Sequence, residues 1–159
     1  MAEENTRNLQ IVKIYMKDCS VESPNSPAIF SETGETQFKL DIDVKNRAIE
    51  GDNYEVVLSV SARAAFNDRT LFLVEVHQAG LFSVSGFSEQ EREQIFGIWA
   101  PTQLFPFVRE VASTLCSQAG FPQVMLPIIN FEQFHEARRQ NAANEAAQAE
   151  AAPPQGATN

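Results

Sequence analysis

Asp41 and Asp43 form a D-x-D pair in the stretch FKLDIDVK, the nearest the chain comes to spelling a site for a hard cation. Calcium and magnesium need more oxygen ligands than two, and no third carboxylate stands close by. The pair alternates with Lys39 and Lys45 and with apolar Phe38, Leu40, Ile42 and Val44, which reads as the wet face of a strand. His77 and His135 could serve as general bases, yet neither falls in a recognisable motif with a Ser or Cys nucleophile. No glycine-rich phosphate loop occurs. Cys19 and Cys116 lie far apart, without a C-x-x-C or a neighbouring His, and read as small buried hydrophobes. The expectation is therefore a protein that is not an enzyme, hydrolyses no ATP, and uses no metal and no cofactor.

Charge narrows the partners. Lys and Arg number 12 against 21 Asp and Glu, and the net charge of −9 would repel a nucleic-acid backbone. With 159 residues, 43% of them hydrophobic and twelve of them Phe, the chain suits one domain with a core, plus tails. MAEENTRNLQ lacks the basic and apolar regions of a signal peptide, and no apolar run approaches the ~20 residues of a membrane span. A soluble, cytoplasmic protein is expected.

The elements follow from periodicity. FKLDIDVK and YEVVLSVSARAAF alternate with period two, the latter aligning Tyr54, Val56, Leu58, Val60 and Phe66 on one face. Asn67-Asp68-Arg69 supplies turn chemistry before TLFLVEVHQAGLFSV, so a hairpin is predicted. LQIVKIYMKDCSVE is a less regular strand, with Val12, Ile14 and Met16 on one side, ended by the Pro24 to Pro27 segment. Loops this short predict a four-stranded antiparallel meander in an α+β fold, with helices on one face. Ser88 and Glu91 fit a capping box for a short helix weakened by Gly97. In APTQLFPFVREV, Pro106 is expected at a first helical position, so that Leu104, Phe107, Val108, Val111 and Leu115 form an apolar stripe up to a stop at Gly120. A last helix starts near Asn130 with Phe131 and Phe134. Residues 1–8 and the Ala/Gln/Asn-rich tail 136–159 are expected to be largely disordered, around a domain spanning 9–135.

One feature exceeds what a lone domain needs. Phe72, Val74 and Val76 point to one side of the fourth strand while Leu71 and Leu73 point to the other, and Phe105 and Ala112 widen the helix stripe. Surplus apolar surface marks an interface or a binding groove.

The segments IYMKDCSVESPNSPAIF, FKLDIDV, YEVVLSV, LFLVEVHQAGLFSVSG, APTQLFPFVRE and GFPQVMLPIINFEQF, in this order, resemble the SecB family of bacterial protein-export chaperones from about Leu9 to His135. The resemblance implies a homotetramer, a dimer of dimers with helices between two eight-stranded sheets. It implies binding of unfolded precursor proteins and their delivery to the translocation motor SecA, through which alone a membrane is approached. Carried over residue by residue, it assigns SecA binding to Asp18, Glu22, Leu73 and Glu75, and tetramer contacts to Phe72, Val74, Val76 and Gln78. It places Phe30, Phe38, Phe121, Phe131 and Phe134 around a client-binding groove; the loop SETGETQ lacks the Trp some relatives carry, so a subsite there is shallower. Read locally, without the resemblance, the acidic residues are a solvated face and each phenylalanine is more often core than groove. A related chaperone serving another partner, such as a toxin–antitoxin system, and a small-molecule carrier on an α+β scaffold remain the alternatives.

Overall fold

Strands β1 (Asn8–Glu22), β2 (Gln37–Ala48), β3 (Asn53–Phe66) and β4 (Arg69–Ser85) form one antiparallel sheet in a computed structural model that describes residues 6–151. The outer parts of both expected tails, 1–5 and 152–159, lie outside the described residues. Asn8 already belongs to the sheet, where its side-chain amide donates to Ser83 Oγ at 3.1 Å.

The strand order is β1-β4-β3-β2, which corrects the simple meander. Only β2, β3 and β4 are consecutive hairpin neighbours; β1 crosses over to lie beside β4, a Greek-key order. β4 needs a neighbour on each side because it is apolar over most of its length, which suits the middle of a sheet. The crossover is pinned at its start: Ser23 Oγ donates to the Leu71 carbonyl at 3.0 Å and Asn25 Nδ2 to the Thr70 carbonyl at 2.9 Å. Asn67 and Asp68 adopt φ of 45° and 65°, so the β3–β4 hairpin closes through a two-residue turn with both central residues left-handed. In β1 the register shifts between Ile11 and Lys13 and again between Met16 and Asp18. Those bulges break the alternation, so Ile11 rather than Val12 shares the side of Ile14, opposite Phe82 and Gly80 respectively.

The predicted capping box forms: Ser88 Oγ accepts from the Glu91 backbone N–H, and the Glu91 carboxylate accepts from that of Ser88. It starts α1 (Glu89–Gln94), which passes through a π-helical turn at Ile95–Trp99 into α2 (Ala100–Gln118). The helical path thus exists well before Pro106, which lies inside α2 rather than at its start. Pro106 is exposed, so the Thr102 carbonyl it leaves without a donor faces solvent. The buried stripe of α2 is rotated accordingly, to Ala100, Leu104, Phe105, Val108, Ala112 and Cys116, while Phe107 is 41% exposed. The helix ends as predicted. Gly120, at φ +90°, allows its N–H to bond the Ser117 carbonyl and that of Phe121 the Cys116 carbonyl, both at 3.1 Å.

α2 packs on the face of the sheet built by Val56, Leu58, Val60, Phe72, Val74, Val76 and Phe82. Its closest approach is over Gly80, where an added Cβ would stand 2.5 Å from the buried Phe82 ring and 3.2 Å from Leu104. Gly80→Ala is accordingly expected to lower stability by about 1–2 kcal/mol through overpacking, read as a lower denaturant midpoint; an unchanged midpoint would show that α2 is free to lift.

α3 (Phe131–Ala151) is capped by Asn130, whose side-chain oxygen accepts from the Gln133 N–H at 3.2 Å. It continues as helix well past His135, correcting the disordered reading for residues 136–151. Alanine has the highest helix propensity, and Gln140 donates to Glu136 one turn back. The extension beyond His135 is exposed, as a helix without an apolar stripe must be.

Candidate docking faces and apolar surface

With α2 on one side, the other face of the sheet carries no helix among the described residues. Cross-strand partners project to the same side of an antiparallel sheet, so the register fixes what lines this face. Glu22 pairs with Leu73, Ser20 with Glu75 and Asp18 with His77. The four residues assigned to SecA binding by resemblance therefore stand together, three exposed carboxylates around a half-buried leucine. β2 adds Asp41 and Asp43 through Ser61 and Ser59. Asp41 is met at 3.6 Å by Lys39 and Asp43 at 3.2 Å by Arg138 of α3, whereas no ion pair engages Asp18, Glu22 or Glu75 among the described residues. His77, at the centre, shares a 2.7 Å hydrogen bond between its Nδ1 and Ser59 Oγ.

Further along the same face lies a cluster that the sequence did not announce. Glu55 is 4% exposed, and its carboxylate accepts from the Tyr15 hydroxyl, from Lys17 Nζ at 3.1 Å and from Arg47 Nε at 2.8 Å. The Tyr15 hydroxyl, with Arg47 and Lys17, outweighs burial and holds the Glu55 carboxyl down at about 2. Burial, then the bond to Glu55, pushes the Tyr15 phenol up to about 12. The donors lie 40, 38 and 8 residues away, so no local spacing could have revealed the cluster. Lys17 reaches inward because it sits at the second bulge of β1.

The four residues assigned to tetramer contacts are placed differently from that expectation. Phe72, Val74, Val76 and Gln78 are at most 4% exposed, beneath α2 of their own chain. They are core, as their apolar parity allowed, and have no surface left to touch a second copy directly. The surplus apolar surface is elsewhere: Ile11, Val12 and Met16 are exposed on β1, whose outer edge has no strand partner among the described residues, and Phe107 is exposed on α2.

The five phenylalanines of the expected groove divide in three ways. Phe121 and Phe131 are buried, packing at 5.2 Å on Phe72 and 5.8 Å on Phe105. Phe134 is half-buried, with its ring 6.2 Å from Phe131. Phe30 and Phe38 are 51% and 42% exposed; Phe30 rests on Phe121 at 5.2 Å, while Phe38 stands on the outer strand opposite Ala64. Two further apolar residues stand outside, Met125 and Ile128, 75% and 83% exposed in the extended segment between α2 and α3. Leu126, fully buried, anchors that segment, and Arg109 Nε donates to its carbonyl at 3.0 Å. A signal was present, since Pro122 and Pro127 in GFPQVMLPIIN keep the stretch out of a helix and turn alternate apolar residues outward.

Among the described residues no group of three His, Cys, Asp or Glu side chains could hold a metal ion, and no helix is long and apolar enough to cross a membrane. Burial raises the Cys116 thiol above its ordinary range.

Comparison with known proteins agrees with this architecture. Residues 2–142 match the family described as SecB, preprotein translocase subunit. The protein-export protein SecB of Alkalilimnicola ehrlichii is 40% identical over 141 residues, covering 89% of this chain and 75% of that protein. That of Hydrogenovibrio crunogenus is 42% identical over 133 residues, covering 83% and 89%. In structure, a Mycobacterium tuberculosis SecB-like chaperone, solved in complex with a peptide from an antitoxin, shares the fold at a TM-score of 0.64 and 17% identity, over 76% of this chain and 90% of that one. The chain belongs to the SecB family of protein-export proteins.

Proposed function

We propose that this protein is a passive chaperone of protein export that holds unfolded precursors and hands them to SecA in the cytoplasm, without catalysis or a cofactor. The observation that carries this reading is the separation of two surfaces. Exposed Phe30, Phe38, Met125 and Ile128 lie on or beside the helix-covered side, while Asp18, Glu22 and Glu75 gather on the opposite face around Leu73. Sequence-tolerant binding of unfolded chains needs adaptable apolar surface, and Met is the most adaptable apolar side chain. Docking to a basic partner needs the reverse, a charged surface that steers encounter and is weakened by salt. The assembly we propose is a dimer of dimers in which a second copy covers the free edge of β1, making eight strands from two sheets of four, and the outer side of α2 meets the other pair. Ile11, Val12, Met16 and Phe107 support it as the apolar surface such contacts would cover.

The test is a binding titration of wild type and Glu75→Lys with SecA at two salt concentrations, with a reduced, unfolded precursor titrated in parallel. Glu75 is exposed, so the fold should be unaffected. Binding to SecA is expected to weaken by about 1–3 kcal/mol, while precursor holding stays at the wild-type level. Normal SecA binding by the variant, or joint loss of SecA and precursor, would refute a separate docking face.

A further inference from the structure

We propose that the helix-free face is built for a bipolar partner segment, one that sets basic groups against the carboxylates and an acidic group against a band of cations beside them. This deepens the docking reading above and rests on it. The rows of the sheet carry the argument. Two adjacent rows, Ser20–Glu75–Ser61–Asp41 and Asp18–His77–Ser59–Asp43, contain four carboxylates and no Lys or Arg. The next two, Tyr15–Ala79–Val57–Lys45 and Lys13–Leu81–Glu55–Arg47, reverse the sign. With Lys17 from the bulge, they present four cations against the single carboxylate of Glu55, which is buried beneath them. An acidic protein of net charge −9 thus concentrates a third of its 12 Lys and Arg residues on one end of the face it offers to a basic partner. A uniformly cationic partner would be repelled there.

Glu55 holds Lys17 and Arg47 in place. Lys45 is 81% exposed and touches Asp43 only loosely, at 3.8 Å, so it is available to an incoming anion. A cavity of about 620 Å³ opens at the boundary between the two bands, floored by Val57 and Ser59 and rimmed by Asp18, Lys45, Arg47 and His77. From the Asp18–His77 row to the Lys13–Leu81 row is four residues of strand, roughly 14 Å at ~3.4 Å per residue. A peptide segment with a basic cluster and an acidic side chain about that far apart fits both bands at once.

Lys45→Glu separates this from simple acidic docking because the two predict opposite signs. It makes the face more uniformly negative, so a purely cationic partner would bind more tightly, whereas a bipolar one loses an attraction and gains a repulsion. Titrating SecA against wild type, Lys45→Glu and Glu75→Lys, we expect Lys45→Glu to weaken binding about tenfold, an effect of about 1.4 kcal/mol. An oligolysine peptide, the cationic control, should bind Lys45→Glu at least as well as wild type, which also shows that the face is intact. Unchanged or tighter SecA binding by Lys45→Glu, with Glu75→Lys still weakened, overturns the bipolar partner and keeps the docking face. Normal binding by Glu75→Lys removes the docking face and this inference with it.

Discussion

Val76→Arg is expected to unfold the chain rather than to separate folded subunits. Val76 is 1% exposed under α2, opposite Val60 on β3 and Cys19 on β1. A guanidinium there would find apolar neighbours on both strands and no carboxylate on its side of the sheet at that level. A buried charge without a partner costs about 3–5 kcal/mol, against a total stability of about 5–15 kcal/mol for a domain. Far-UV circular dichroism and sedimentation velocity on the same sample decide the outcome: loss of the cooperative denaturant transition is expected, or a much lower midpoint. A variant that keeps the wild-type transition but sediments as a smaller species would return Val76 to the interface between subunits.

Glu55→Ala is the second large effect, and it is tied to pH. Removing the carboxylate strands the Tyr15 hydroxyl in a half-buried site and releases Lys17 and Arg47, which together hold β1, β2 and β3 in one network. Hydrogen bonds to a charged group contribute most among hydrogen bonds, so a loss of about 2–3 kcal/mol at neutral pH is expected. Because the folded-state carboxyl titrates at about 2, below its ordinary value of 4.5, its stabilisation is complete above pH 4.5 and disappears as pH falls towards 2. Tyr15 gives the alkaline limb. Its phenol is raised to about 12 from 10.0, so the neutral form is favoured on folding and that contribution is lost as pH rises from 10 to 12. Denaturant midpoints measured from pH 2 to 7 should therefore converge for wild type and Glu55→Ala at the acid end, separate as pH rises from 2 to 4.5, and keep their full separation above pH 4.5. A constant gap across that range would assign the loss to packing alone.

These two residues also mark what periodicity can and cannot read. Val76 lies on a strand whose alternation was plain, so its burial was legible, but not which element buries it; that depended on where α2 crosses the sheet. Glu55 sits on the polar parity of β3, where a solvated side chain is the ordinary expectation, and it is buried where Tyr15 and Lys17 of β1 and Arg47 of β2 converge on its carboxylate. Helix ends were legible for a different reason. Ser88, Asn130 and Gly120 act on backbone groups within four residues, so the local sequence contains both partners of each bond. Pro106 misled because its ring is tolerated in a helix interior wherever the carbonyl it orphans meets solvent, and exposure at that point is a tertiary property.

The sequence by itself determined the four strands, the cap of α1, the end of α2 and the start of α3, the acidic parity of the outer face and, through ordered motifs with preserved spacing, the family. Each rests on neighbours in the chain: alternation at period two, capping within one turn, charge at every second position. Tertiary structure alone decided the strand order, since β1 joins β4 by pairing that spans up to 77 residues, from Asn8 to Ser85. It decided that Phe72, Val74, Val76 and Gln78 are covered by their own helix, and that Met125 and Ile128 stand outside while Leu126 between them is anchored. It also set the acidic and basic rows side by side, because a row across a sheet is assembled from residues that are distant in the chain and become neighbours only when the register is fixed.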